Sequence, residues 1–303
     1  MAGKTDIDSH RSIARRLLHH IQLWGTFVRF SHTVFALPFA LAMLVIVSSR
    51  SNVSFSQVVT IIIAVIAART AAMSFNRIVD AQIDTRNPRT ANREIPAGRI
   101  SYASATLLLC LSSLAFLFAS ALLGNHCLLL APIVILILLG YSLTKRFTSG
   151  AHFVLGIALA CAPGGVWYAI TAEFAWFPVW MMLGVLFWVA GFDILYALQD
   201  ESFDKKSNLY SMPVLVGSKC ALSIARFSHI LAVIFFIIFG ITANLSFAYA
   251  AGVVFFAWML FSQQRLVRVD ELDKIERTFF NRNAWGSIVY FFAVLIDVII
   301  SAL

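Results

Sequence analysis

Apolar positions along this chain do not alternate or recur as a stripe. They run on in blocks of about 18 to 25 residues, separated by short polar connections, and each block is long enough to cross a hydrocarbon core of about 30 Å. The pattern predicts helices, because a membrane barrel would show short alternating segments. Nine spans are predicted, near 22 to 48, 54 to 79, 103 to 121, 126 to 144, 150 to 171, 176 to 198, 219 to 243, 246 to 263 and 285 to 302. Pro38 lies inside the first span and "APGG", Ala162 to Gly165, inside the fifth. Both predict a kink or local unwinding, or else close packing of small residues.

Composition makes the same case. Of 303 residues 60% are hydrophobic and 13% charged, too oily and too charge-poor for a soluble domain of this size. The expected fold class is all-α, a polytopic membrane bundle of about nine transmembrane helices.

Orientation follows from the basic residues. Lys4, Arg11, Arg15 and Arg16 precede the first span. Arg86, Arg89, Arg93 and Arg99 follow the second, Lys145 and Arg146 the fourth, Lys205 and Lys206 the sixth, and Arg265, Arg268, Lys274, Arg277 and Arg282 the eighth. The alternate connections carry only Arg50, so the amino terminus and the even-to-odd loops are expected to be cytoplasmic. The formal charge of +8 then needs no nucleic acid to explain it. Residues 1–21 read as a cytoplasmic amino-terminal segment and 22–303 as a single transmembrane domain. "ALA" at Ala40 to Ala42 resembles a signal cleavage site, but the apolar run continues to Val47, which predicts an uncleaved span. Cys110, Cys127, Cys161 and Cys220 lie in or beside apolar spans without metal-ligand spacing and read as packing residues.

Two polar helix ends interrupt this picture. "SFNRIVDAQIDTRNPRTANREIPAGR", Ser74 to Arg99, follows the second span and carries two aspartates and five arginines. Asn76, Asp80 and Asp84 are four apart and share one helix face. After the sixth span, "FDILYALQDESFDKKSNLYSMPVLVG" places Asp193, Tyr196, Asp200 and Asp204 on one face as well. Aligning the two puts Asp80 over Asp200 and Asp84 over Asp204, a weak internal repeat with acidic motifs at 76–84 and 193–204. Such groups at a membrane mark a cavity or a partner, although loops flanking spans are often charged for topology alone. Oxygen donors without nearby histidine or thiol ligands suit a hard cation, best Mg²⁺, which completes its shell with water and phosphate oxygens. The arginines and Lys145 then suit a polyanion that the metal bridges, and a lipid diphosphate is the natural one here. The 27 phenylalanines are compatible with an isoprenoid tunnel and equally with lipid-facing or core positions.

With these motifs in view the chain resembles the UbiA superfamily of intramembrane aromatic prenyltransferases. "NRIVDAQID" resembles the first aspartate-rich motif, "RTANREIPAG" the basic loop after it, "YSLTKRFT" a middle motif and "DILYALQDESFD" the second aspartate-rich motif. One position departs: many members have an aspartate after the first asparagine, where this chain has Arg77. With "FVRFSHTVFALPFAL" near the start, the variant looks most like the branch acting in the futalosine route to menaquinone.

The resemblance implies helices around a central cavity, with cytoplasmic cap loops, in a bacterial inner membrane. It implies Mg²⁺-dependent transfer of a polyprenyl group from polyprenyl diphosphate to 4-hydroxybenzoate or a dihydroxynaphthoate, in quinone biosynthesis. The metal set would be Asn76, Asp80, Asp84, Asp193, Asp200 and Asp204, with Asp80, Asp84, Asp200 and Asp204 catalytic. Arg86, Arg89, Arg93, Lys145 and Arg146 would hold the diphosphate. Arg69, seven residues before Asn76 on the same face, would orient the acceptor carboxylate or a motif aspartate, with Tyr141 and Tyr196 nearby. Rival readings are a CDP-alcohol phosphatidyltransferase, whose D-G-x-x-A-R core is missing, and a secondary transporter, which does not require a dense arginine cap. Oligomeric state and prenyl chain length are not written in the pattern, since tunnel depth depends on packing.

Overall fold

The computed structural model describes residues 20–266 and 275–303. Lys4, Arg11, Arg15, Arg16, Arg268 and Lys274, used above for orientation, lie outside the described residues, as does most of the segment 1–21.

Helix α1 covers 20–27 of the described chain. A 3₁₀ turn (Phe30–Phe35) follows, then α2 (Leu37–Ser48), α3 (Phe55–Arg86), α4 (Tyr102–Leu123), α5 (Asn125–Thr144), α6 (Ala151–Thr171) and α7 (Trp176–Ala197). Two short helices, α8 (Glu201–Lys206) and α9 (Met212–Val216), precede α10 (Ser218–Thr242), α11 (Phe247–Leu266) and α12 (Ile275–Ala302). Among the described residues eight helices are long and apolar enough to cross a membrane, and α2 is a shorter apolar helix. The all-α membrane bundle expected from the pattern is therefore the fold.

The first expected span differs. It is not one kinked helix over 22 to 48 but α1, a turn with Arg29 in the left-handed region (φ 46°, ψ 55°), the 3₁₀ turn, and α2 with Pro38 in its first turn. Proline lacks an N–H and has a helical φ, so it is accommodated where a helix begins rather than inside it. Pro163 behaves otherwise: α6 runs on from Ala151 to Thr171 through it. Two glycines of α6, Gly156 and Gly164, serve close packing instead. A Cβ on Gly156 would sit 2.4 Å from the Leu186 carbonyl oxygen and one on Gly164 2.4 Å from the Met182 sulfur, so α6 and α7 meet at near-backbone distance.

Local signals place the helix ends. Ser54 caps α3 with a full capping box, accepting from the Gln57 N–H while the Gln57 side chain accepts from the Ser54 N–H. Pro88 disfavours α geometry at the residue before it, and α3 stops at Arg86 with Asn87 extended. The helix thus carries its acidic motif to its last turn.

The bundle has a solid side and a hollow side. Phe39, Trp188, Phe236, Phe256 and Tyr290 are all fully buried and interlock between α2, α7, α10, α11 and α12, with Phe39 4.9 Å from Tyr290 and 5.2 Å from Trp188, centroid to centroid. Trp188 donates Nε1–H to Asn283 at 2.9 Å. Many of the large aromatics thus build this core, where each contributes burial and edge or offset ring contacts. Between α3, α5, α6 and α7 the packing opens into a cavity of about 970 Å³.

Candidate active site

The cavity joins two chemistries. Its apolar stretch is lined by residues such as Leu130, Val134, Leu138 and Leu155, and its polar end by Asn76, Asp80, Asp84, Asp193, Asp200 and Asp204. Both acidic motifs therefore reach one space. They arrive differently: α3 is continuous through its motif, whereas α7 ends at Ala197 and a 3₁₀ turn (Leu198–Asp200) leads into α8. The single-face spacing of 193 to 204 thus crosses a break in the helix.

Each carboxylate has a defined partner set. Asp80 accepts from Asn76 Nδ2 at 3.0 Å and faces Arg146 Nη2 at 3.4 Å. Arg146 also donates to the Val79 carbonyl at 2.6 Å. Both oxygens of Asp84 lie within 2.8 Å of the single Nη1 of Arg93. Asp200 is held by a fork from Arg89, Nε to Oδ1 at 2.9 Å and Nη2 to Oδ2 at 2.5 Å, with Asn87 Nδ2 adding a bond at 3.3 Å. Asp204 Oδ2 is buried without a hydrogen-bond partner.

Asn87 explains how Arg89 gets there. Its Oδ1 accepts the Arg89 N–H at 3.0 Å, a turn typical of asparagine, and this directs Arg89 across the cavity mouth to the second motif, 111 residues on. The Tyr210 N–H donates to the Lys145 carbonyl at 2.8 Å, which ties the loop after α8 to the end of α5. Thr90, Arg93 and Lys145 complete the polar rim, with Leu209 beside them. This is the cap that the basic loop implied.

Not every expected residue comes to the site. Arg86 is exposed and is not among the residues lining the cavity, because it falls on the outer face of the last turn of α3. Arg77 is buried and donates Nε–H to the Phe27 carbonyl at 3.2 Å; it too is outside the lining. The residue that departs from the family pattern thus faces α1. Arg69 lines the cavity and donates to the Arg29 carbonyl at 3.3 Å, while its buried Nε has no partner. Tyr141 and Tyr196 also line the cavity. So do Cys127 and Cys161, which the pattern assigned to packing, whereas Cys110 and Cys220 are exposed.

His152, Asn87 and Arg29 were not singled out from sequence. His152 is fully buried. Its Nδ1 donates to Asp193 Oδ2 at 2.6 Å while its Nε2 accepts the Met212 N–H at 3.2 Å, so the ring is oriented from both sides and in turn orients the carboxylate. A lone histidine 41 residues from its partner carries no local signal. Asn87 did carry one, the Asn-Pro dipeptide that ends a helix.

The fold and the site together define an integral membrane enzyme whose polar chemistry sits at one end of an apolar cavity. Residues 36–287 match the UbiA prenyltransferase family. The chain belongs to that family. A UbiA homolog from Aeropyrum pernix K1, solved without ligand, is 31% identical, with 90% of this chain and 98% of that one covered and a TM-score of 0.79. The 4-hydroxybenzoate octaprenyltransferase of Shewanella woodyi is 26% identical over 242 residues, 80% of this chain and 84% of that protein. A UbiA homolog from Archaeoglobus fulgidus bound to DMAPP and Mg²⁺ shares the fold at 19% identity, with 90% and 99% covered and a TM-score of 0.64.

Proposed function

We propose that this prenyltransferase moves a polyprenyl group from polyprenyl diphosphate to an aromatic acid, 4-hydroxybenzoate or a dihydroxynaphthoate, in quinone biosynthesis, and that it requires Mg²⁺. The observation that carries the reading is the joining of a long apolar cavity to a mouth holding both aspartate motifs and the basic groups Arg89, Arg93, Lys145 and Arg146. Residues 22–303 act as one transmembrane unit in this reading.

The donor set fits Mg²⁺. It is all oxygen, and the buried, unpartnered Asp204 Oδ2 is an acceptor in want of a cation. Among the described residues no three His, Cys, Asp or Glu side chains stand together as a closed metal cage. Mg²⁺ does not need one, since it is held by one or two carboxylates plus water and substrate phosphate. Asp80 and Asp84 from α3, with Asn76, and Asp200 and Asp204, with Asp193, would hold it from two sides. When bound, the metal supplies positive charge against the diphosphate.

The chain's own groups do the rest. Arg89, Arg93, Lys145 and Arg146, which the cap brings to the cavity mouth, bind the diphosphate and stabilise the negative charge that develops as the allylic C–O bond breaks, Arg89 and Arg93 turning to it from Asp200 and Asp84. The apolar walls exclude water that would otherwise capture the allylic cation. An acceptor ring carbon beside a phenol hydroxyl takes the cation and then loses its proton. The unpartnered Nε of Arg69, buried at the cavity wall, suits the acceptor carboxylate, because the hydrogen bond from Nη2 goes to the Arg29 backbone carbonyl and leaves Nε as a donor over.

The polar mouth faces the cytoplasm in this reading, supported by the basic residues around it. Purified protein with Mg²⁺, either acid and prenyl diphosphates of several lengths should yield prenylated acid and diphosphate, and EDTA should stop it. Turnover undiminished by EDTA, or no product with either acid, would overturn the proposal. Cysteine labels at 97 or 205 that react only from outside the cell would reverse the orientation.

A further inference from the structure

The "APGG" segment has no part in the polar chemistry, yet it lines the cavity. From Cys161 onward the residues of α6 that line the cavity are Cys161, Ala162, Gly164, Gly165 and Val166, none larger than valine, and then Tyr168 and Ala169. A Cβ added at Gly165 would meet nothing within 4 Å, so this position faces open space rather than a neighbouring helix. The wall is therefore thin for more than one turn, up to the large aromatic ring of Tyr168.

That ring is braced from behind. His126, which does not line the cavity, packs edge-on against Tyr168 with centroids 5.3 Å apart and donates Nε2–H to the Ala169 carbonyl at 3.4 Å. The short α4–α5 connection holds His126 in turn. Gly124 has φ 135°, and a Cβ there would sit 2.6 Å from His126 Cε1.

We infer that Gly165 and Tyr168 set which prenyl chain lengths the enzyme accepts. The inference rests on the prenyl-transfer reading above and adds the donor length to it. His152, which holds Asp193 at the polar end, is 13 residues before Gly165 and 16 before Tyr168 on the same helix. At 1.5 Å per residue these are separations of ~20 Å and ~24 Å. An extended isoprene unit has four chain bonds and spans ~5 Å, one bond more than the 3.8 Å repeat of an extended peptide. A chain entering from the polar end therefore passes Gly165 at about its fourth unit and meets Tyr168 soon after. Donors of one or two units do not reach either residue.

The test is the profile of kcat/KM against donor length, from one to eight isoprene units, in the wild type, Gly165→Leu and Tyr168→Ala. Gly165→Leu should fold, since its side chain enters open space. It should lower donors of four or more units relative to one- and two-unit donors on the order of tenfold, the lower end of what a misplaced methylene discriminates in an apolar site. Tyr168→Ala should shift the profile the other way. An unchanged profile in both variants, or a uniform loss at every length, would overturn the assignment. Thermal-shift titration with the same diphosphates needs no acceptor and reads the length profile directly. If the wild type turned over no aromatic acid but this binding profile still moved with Gly165→Leu, the functional reading would fail while the length assignment stood.

Discussion

Asp80→Asn and Asp200→Asn should each reduce prenyl transfer by more than ~100-fold, beyond what loss of a mere outer partner of a metal ligand costs. The two residues line one cavity mouth, Asp80 from α3 and Asp200 from the 3₁₀ turn after α7, 120 positions apart in sequence, so a metal-bridged diphosphate would need both. The substitution keeps size and shape and removes only the charge. Asp80 is partly exposed and held by Asn76, and Asn at 80 can keep that bond through its carbonyl oxygen. Asp200→Asn releases Arg89, but that side chain is 34% exposed and stays solvated, so the cost of an unpaired buried charge does not arise. Folded yield in detergent should therefore hold while turnover vanishes. Normal kcat in either variant across a Mg²⁺ titration would mean that the acidic faces do not carry the reaction.

Arg89→Lys should lower kcat by about 10² at preserved charge. Arg89 meets Asp200 with Nε and Nη2 together, the planar fork that also matches two phosphate oxygens. Lysine offers one movable point charge, and loss of a fixed donor to developing charge costs on the order of 10²–10³ in rate. Arg93 gives a contrast within the same loop. It reaches Asp84 with one nitrogen only, a contact lysine can imitate, so Arg93→Lys should be the milder change. Steady-state kinetics with the prenyl diphosphate varied distinguishes these from topology signals, for which both replacements should be silent. Equal, wild-type kcat and KM in the two variants would remove Arg89 from the diphosphate site.

Charge and spacing made the polar end readable in advance. Asn76, Asp80 and Asp84 fall on one face by helical period alone, and α3 keeps that period to its last turn. Asp193 to Asp204 also converge on the cavity, but across a break at Leu198–Asp200 that no proline or glycine announces. Arg86 shows the limit of counting charges. Three residues before Arg89, it differs in role because Asn87 and Pro88 turn the chain between them.

What the sequence by itself determined is the membrane, the helical class, the approximate spans and the acidic and basic motifs, because hydrophobic length, helical period and charge are local properties of a chain. Tertiary structure alone decided which of those residues share a space. His152 supports Asp193, and Arg69 grips the carbonyl of Arg29, through contacts 41 and 40 residues apart, and no period links them. The depth of the cavity is of the same kind. Gly164 and Gly165 are neighbours of the same type and both line the cavity, yet a Cβ on the first would run into Met182 and one on the second would meet nothing within 4 Å. A glycine's local chemistry is the same in both places, and only the helix packed opposite decides whether the space it leaves is wall or tunnel.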